Sequence, residues 1–292
     1  MAKVQANGIT IEVEEMGSPA DPPILLIMGL NAQLTVWPEG FCRGLADRGH
    51  QVVRFDNRDV GLSTWLDDQP PGDPIEALFT VLDGGTIEAP YSLADMADDA
   101  VGVLDALGLG SAHIVGASLG GMIGQHVVTR HPDRVRTFTS IMSMPRFIPM
   151  ELEVALSLQP PDVDPHDREA IVAAGIEAAR LIAGTGYPFD EAYVRREALA
   201  NLDRAWNPDG GVRQMMAALA DGDRRPALST VAAPTLVIHG TDDPLVPVTG
   251  GRDTAANCPT AEMIEIEGMG HNFPVEVYDR VLDGIDRAVS RV

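Results

Sequence analysis

The chain is poor in cysteine and basic side chains and has no long apolar run, and each shortage removes a class of explanation. Only Cys42 and Cys258 occur, with no CxxC pair and no plausible zinc set, so neither disulfides nor a structural metal organises the fold. Lys and Arg number 21 against 43 Asp and Glu, a formal net charge of −22. That balance argues against nucleic acid and anionic membrane surfaces, which both call for clustered cations. The longest apolar stretch, Ile24 to Met28, is strand-length and far short of the ~20 residues that span a bilayer. The opening "MAKVQANGITIEVEEMG" lacks the apolar core of a leader and reads as mature protein. The resulting expectation is a cytoplasmic, soluble monomer or homodimer with no membrane anchor and no nucleic-acid partner.

What the chain does contain is an alternation of apolar runs and helical patterns. "ITIEVEEM" (Ile9 to Met16) alternates like a half-exposed edge strand until "SPADPP" breaks it. "PILLIMGL" (Pro23 to Leu30) is apolar throughout, as a strand covered on both faces of a parallel sheet would be. "HQVVRFD" is a further short strand, and "SAHIVG", "TFTSIM", "TLVIHG" and "AEMIEIEG" supply more buried-strand candidates. "SLADMADDAVGVLDALG" opens with Ser92 and Asp95 at capping-box spacing, then repeats Leu93, Met96, Ala97, Ala100, Val103, Leu104 and Leu107 at helical intervals. From Pro274 onward, Val277, Val281, Leu282, Ile285, Ala288 and Val289 predict a closing amphipathic helix. Strands alternating with helices predict an α/β fold with a mostly parallel, doubly wound sheet. Between 145 and 226 the rhythm stops, leaving helical patches separated by "QPPDVDP", "GTGYPF" and "NPDGG". The expected organisation is a core of residues 1–144 and 227–292 with a helical cap of residues 145–226 inserted in it.

"GASLGG" (116–121) stands where the strand "AHIV" meets the helical stretch "LGGMIGQHVV". Gly116-Ala117-Ser118-Leu119-Gly120 matches G-x-S-x-G, a sharp turn whose glycines leave room for a hydroxyl pushed into the open. A serine hydroxyl needs a base to take its proton, and seven histidines compete for that task. His113 and His239 lie inside strands, and His126 and His131 lie on the helix after Ser118. His50 opens a strand, and His166 sits in the proline-rich start of the insertion. His271, in "GMGHNFP", follows the last strand on a glycine-rich loop. Catalytic groups collect on such loops at carboxyl ends of strands, so His271 is the candidate base.

The third member must be a carboxylate that fixes the imidazole tautomer. "TLVIHGTDDPLVP" ends a strand with Asp242 and Asp243 side by side, and adjacent residues cannot both face the histidine. The proline after Asp243 marks a fixed turn there. The alternative position, after "TFTSIM", offers only "SMPRFIPM" and no acid. Either choice runs Ser…Asp…His along the chain.

These motifs together resemble the α/β-hydrolase-fold superfamily of serine esterases over the whole chain. "HGTDDPLVP" is similar to the family's H-G-x-x-D-P-x-V-P, which puts the acid at Asp243, and "GMGH" is similar to its G-x-G-H, which puts the base at His271. "FDNRDVGLS" (Phe55 to Ser63) resembles the family's D-x-R-G-x-G-x-S loop, with Asp59 where glycine is commoner. The Met28-Gly29 turn, "DNRD" and "GTGYPFD" resemble the aclacinomycin methylesterase-type branch. The resemblance implies an oxyanion hole made by the backbone N–H groups of Leu30 and Leu119. It implies hydrolysis of a hydrophobic small-molecule ester through an acyl-enzyme on Ser118, without metal or organic cofactor. Met144, Met215 and Trp206 are candidate substrate contacts in or beside the insertion, where methionines suit a pliable apolar pocket. Thioesterase, lactonase, phospholipase and cofactor-free perhydrolase activities use the same triad, and a ligand-binding protein on the same fold stays open beside them.

Overall fold

The computed structural model describes residues 1–157 and 159–292. Strands β1 (Ala2–Ala6), β2 (Ile9–Met16), β3 (Pro23–Ile27), β4 (Gln51–Phe55), β5 (Ala112–Ala117), β6 (Val135–Ile141), β7 (Thr235–Gly240) and β8 (Ala261–Ile266) form one sheet. Their order is β1-β2-β4-β3-β5-β6-β7-β8. The β1–β2 and β2–β4 pairings are antiparallel and the others parallel. From β3 the chain moves to one neighbour, β4, and later returns to β5 on the other side. The carboxyl ends of β3 and β5 therefore flank the point where the winding reverses, which is where open α/β sheets form a ligand crevice.

Helices cover both faces. On one side lie α3 (Leu93–Ala106), α4 (Leu119–Arg130) and α10 (Val248–Asn257); on the other lie α1 (Glu39–Asp47) and α11 (Tyr278–Val289). Strand β3 shows why its sequence is apolar throughout: Leu25 and Ile27 enter the first core, Ile24 and Leu26 the second. α3 begins with the expected capping box, Ser92 accepting from the Asp95 N–H while Asp95 accepts from the Ser92 N–H. α11 buries Val281, Leu282, Ile285 and Ala288.

Two strand expectations are corrected. Ile9–Met16 is not the sheet edge, because β1 pairs along it through a two-residue Asn7-Gly8 turn. Both turn residues have positive φ, 47° and 80°, as tight hairpins that match strand twist require. The true edge at the other end is β8, whose side chains are mostly half-exposed rather than buried. Periodicity also does not announce α2 (Pro74–Leu82), which starts at an Asp73 cap followed by proline and leaves Ile75, Phe79 and Leu82 exposed.

Between β6 and β7 the described residues form no strand. They make α5 (Leu152–Ser157), α6 (Arg168–Ile182), α7 (Glu191–Arg204), α8 (Pro208–Ala220) and α9 (Arg225–Leu228). No helix among the described residues is long and apolar enough to cross a membrane.

Candidate active site

Ser118 occupies the corner between β5 and α4 with φ 56° and ψ −122°, a backbone conformation that a non-glycine residue holds only under surrounding constraint. The constraint is close packing of backbone. A Cβ on Gly116 would lie 2.1 Å from the Gly120 carbonyl oxygen, and one on Gly120 would lie 2.0 Å from that of Ile27. The Ser118 N–H donates to Ile141 O at 2.9 Å, tying the corner to β6.

The structure brings Ser118, His271 and Asp243 together. His271 Nε2 lies 2.9 Å from Ser118 Oγ, and its Nδ1 lies 2.8 Å from Asp243 Oδ2. Asp243 Oδ1 is occupied by the N–H groups of Leu245 (3.0 Å) and Val246 (2.8 Å), leaving Oδ2 for the imidazole. Burial of Asp243 pushes its carboxyl up, but the charge of His271 and hydrogen bonds from His239 and His271 outweigh this and bring it down to about 2. The carboxylate thus stays ionised at neutral pH and faces Nδ1 as an acceptor, an arrangement that suits the tautomer with Nε2 turned as acceptor towards the Ser118 hydroxyl. The neighbouring Asp242 turns away, accepting from Thr185 and Thr241.

The His271 loop is braced from two directions. Phe273 packs edge-on against Phe41 and Trp37, ring centroids 5.1 and 5.9 Å apart. From the insertion, Ile182 O accepts from the His271 N–H at 2.8 Å, and the Gly186 N–H donates to Gly268 O at 2.9 Å. The segments touch backbone to backbone: a Cβ on Gly270 would stand 2.0 Å from the Gly184 nitrogen. "GTGYPF" and "GMGH", separate motifs in the sequence, are two sides of one contact.

Beside Ser118 lies the Met28–Asn31 turn. A Cβ on Gly29 would sit 3.5 Å from Ser118 Oγ, so the turn adjoins the hydroxyl. Met28 O accepts from Asn57 Nδ2 at 2.9 Å. Leu119, first in α4, has an N–H without an intrahelical partner. Asp59, unusual in its loop, takes φ 68° and forms a fully buried pair with Arg213 of α8, at 2.9 and 2.8 Å. Its carboxylate thus replaces a small residue with an anchor for the insertion. Arg204 of α7 pairs similarly with buried Asp56, at 2.7 Å. Local sequence could not show these partners, although two polar residues, Arg213 and Gln214, in the apolar stretch "GVRQMMAALA" were a visible signal.

A cavity of about 1150 Å³ opens between this turn and the insertion, lined among others by Leu30, Val60, Ile171, Val172, Trp206 and Val212. Of the candidate substrate contacts, Trp206 lines it and the other two do not. Met215 lines a separate, smaller groove beside α2. Met144 is buried in the core beside Gly250, its carbonyl taken by Arg224.

Comparison with known proteins matches residues 22–276 to the α/β-hydrolase fold family. The chain belongs to that family. It is 32% identical to the rhodomycin D methylesterase DnrP of Streptomyces peucetius, covering 93% of this chain and 92% of that protein. The rhodomycin D methylesterase DauP of Streptomyces sp. strain C5 is also 32% identical, over 94% and 93%. Among solved structures, the meta-cleavage product hydrolase of Pseudomonas fluorescens superposes with a TM-score of 0.76 at 19% identity, over 100% of this chain and 98% of that one, a likeness of fold. The chain is a carboxylic ester hydrolase of the esterase branch.

Proposed function

We propose that the protein hydrolyses the ester of a bulky apolar acid through an acyl-enzyme on Ser118, releasing a small alcohol. The observation that carries this reading is the continuous hydrogen-bond chain Ser118–His271–Asp243, at 2.9 and 2.8 Å. Ser118 Oγ attacks the ester carbonyl carbon while its proton passes to His271 Nε2, and Asp243 stabilises the imidazolium without taking the proton. The N–H groups of Leu30 and Leu119 receive the developing oxyanion. Collapse of the tetrahedral adduct breaks the carbon–alkoxy bond, and the proton on His271 leaves with the alcohol. Water then repeats the sequence on the acyl-enzyme, releasing the acid and restoring Ser118.

The cavity, about 1150 Å³, is lined by Leu30, Val60, Ile171, Val172, Trp206 and Val212 together with polar residues such as Asn201 and Arg180, and its apolar walls favour a broad, largely apolar acid. The names of the relatives, methylesterases at 32% identity, favour methanol as the leaving group. In this reading residues 145–226 act as the cap that closes the cavity over Ser118.

Turnover of methyl naphthoate is the direct test. Ser118→Ala is expected to keep the fold and lose at least ~10⁴-fold in kcat, and a fluorophosphonate is expected to label wild type stoichiometrically but not the variant. Substantial ester turnover by folded Ser118→Ala sinks the proposal.

A further inference from the structure

Gln214 lies in the middle of α8, fully buried, and both of its polar ends go to the backbone of loops around the site. Its Oε1 accepts from the Asn31 N–H at 2.8 Å, and its Nε2 donates to Arg58 O at 2.8 Å. Asn31 has φ 53°, a left-handed conformation that is unfavourable for a non-glycine residue and persists where its surroundings hold it. We infer that Gln214 is a positioning residue for the reaction, holding the Met28–Asn31 turn so that the Leu30 N–H points at the developing oxyanion. This rests on the proposed role of Leu30.

The geometry of consecutive peptide planes is what links the two residues. Asn57 fixes the Met28 carbonyl at one end of the turn, and Gln214 fixes the Asn31 amide at the other. The Gly29–Leu30 peptide, which carries the donor, is clamped between them. Within the turn that peptide has only a long bond, the Ala32 N–H donating to Gly29 O at 3.3 Å, so loss of either clamp loosens a planar, stiff unit as a whole. An oxyanion donor acts only when it is preoriented, and a tilted one loses most of its effect.

Gln214 is not needed to attach its own helix. α8 is already secured by the Arg213–Asp59 pair and by Asn207 Nδ2 donating to Asp59 O at 3.0 Å. An apolar residue of similar length would pack the same space. What it could not do is satisfy the Asn31 N–H, so the amide's specific contribution is to the turn.

The experiment compares wild type with Gln214→Met on methyl naphthoate and measures inhibition by naphthyl trifluoromethyl ketone. That inhibitor adds Ser118 Oγ to its carbonyl carbon, passes the serine proton to His271, and leaves an oxyanion for the same two donors. Gln214→Met is expected to lower kcat and inhibitor affinity together by roughly 10- to 100-fold while KM changes less than ~3-fold. A purely structural role would lower thermal stability and leave that split absent. Gln214→Asn is the second variant: one methylene shorter, it keeps a polar amide in the helix but does not reach the Asn31 N–H, and the same loss of kcat with inhibitor affinity is expected. It carries the test if Gln214→Met does not fold. A folded variant with kcat within twofold of wild type, or with its loss confined to KM, overturns the inference. If wild type itself is not inhibited by the ketone, the serine and oxyanion reading falls instead, which keeps the two failures distinct.

Discussion

Ser118 and the turn around Leu30 lie side by side, yet one is held by the sheet and the other by chain 183 residues away. Around Ser118 the constraints come from β3, β5, β6 and the start of α4, all of them core elements. The Leu30 turn and the His271 loop have no ladder partners at their tips, and the insertion supplies them: Gln214 for one, Ile182 and Gly186 for the other. The Ser118 corner is therefore set by regular structure, whereas the Leu30 turn and the His271 loop are braced partly by the core, through Asn57 and through Phe41 and Trp37, and partly by a helical segment docked through buried ion pairs.

The comparison can be broken most sharply at the two adjacent aspartates. Asp243→Asn removes the acid behind the imidazole and is expected to lower kcat by ~10⁴-fold. Asp242→Asn only weakens contacts to Thr185 and Thr241, and less than a ~10-fold loss is expected. Steady-state kinetics on both variants checks the contrast.

Next in size is the docking of the insertion. Arg213→Met leaves the buried Asp59 carboxylate without its counter-ion, with the Leu66 N–H still donating to it at 2.7 Å, and is expected to cost ~3–5 kcal/mol in urea unfolding. Adding Asp59→Asn, which tolerates the left-handed backbone, is expected to recover most of that loss. No recovery would mean that Arg213 acts other than through its pair.

A smaller effect is expected at the glycine contact. Gly270→Ala forces a methyl against the Gly184 backbone, within 2.0 Å as the chain stands. The His271 loop must shift, and a roughly 10- to 100-fold loss in kcat/KM is expected with the Ser118 corner intact. Fluorophosphonate labelling that slows in proportion would place the damage at the base.

The mildest test lies at the opposite end of the sheet, away from the insertion. Burial, with Arg136 and His50 adding to it, pushes His113 from 6.5 down to about 4. The unfolded chain takes up that proton as pH falls below about 6.5 and the folded chain only near 4, so His113's share of stability is present above the first value and lost towards the second. His113→Asn is expected to narrow the Tm difference between pH 7 and pH 5 by roughly 2 °C.

The same division governs what the sequence makes legible. Continuous apolar runs such as "PILLI" announce strands covered on both faces, and G-x-S-x-G, "GMGH" and "HGTDDP" announce local geometry that each motif largely creates by itself. β1 carried a readable cue in its Asn7-Gly8 turn, but its own short, exposed strand offers no apolar pattern. The braces are different. Asp59 shows only as a departure from glycine, and Gln214 only as a polar residue in an apolar helix, because their partners lie more than 150 residues away. Periodicity reports what a segment buries, not where its polar atoms end.

α8 places Gly211 and Val212 on the cavity wall and Gln214 under the Leu30 turn within one helical turn. On the proposed role of Gln214, reshaping the cavity there couples selectivity to rate: a side chain chosen to widen it moves the helix that holds the Asn31 amide. α6 offers wall positions Ile171 and Val172 about three turns before Ile182, whose carbonyl holds the His271 N–H. Evolution and laboratory libraries alike can diversify ligands most freely through the first half of α6, while α8 is expected to change slowly.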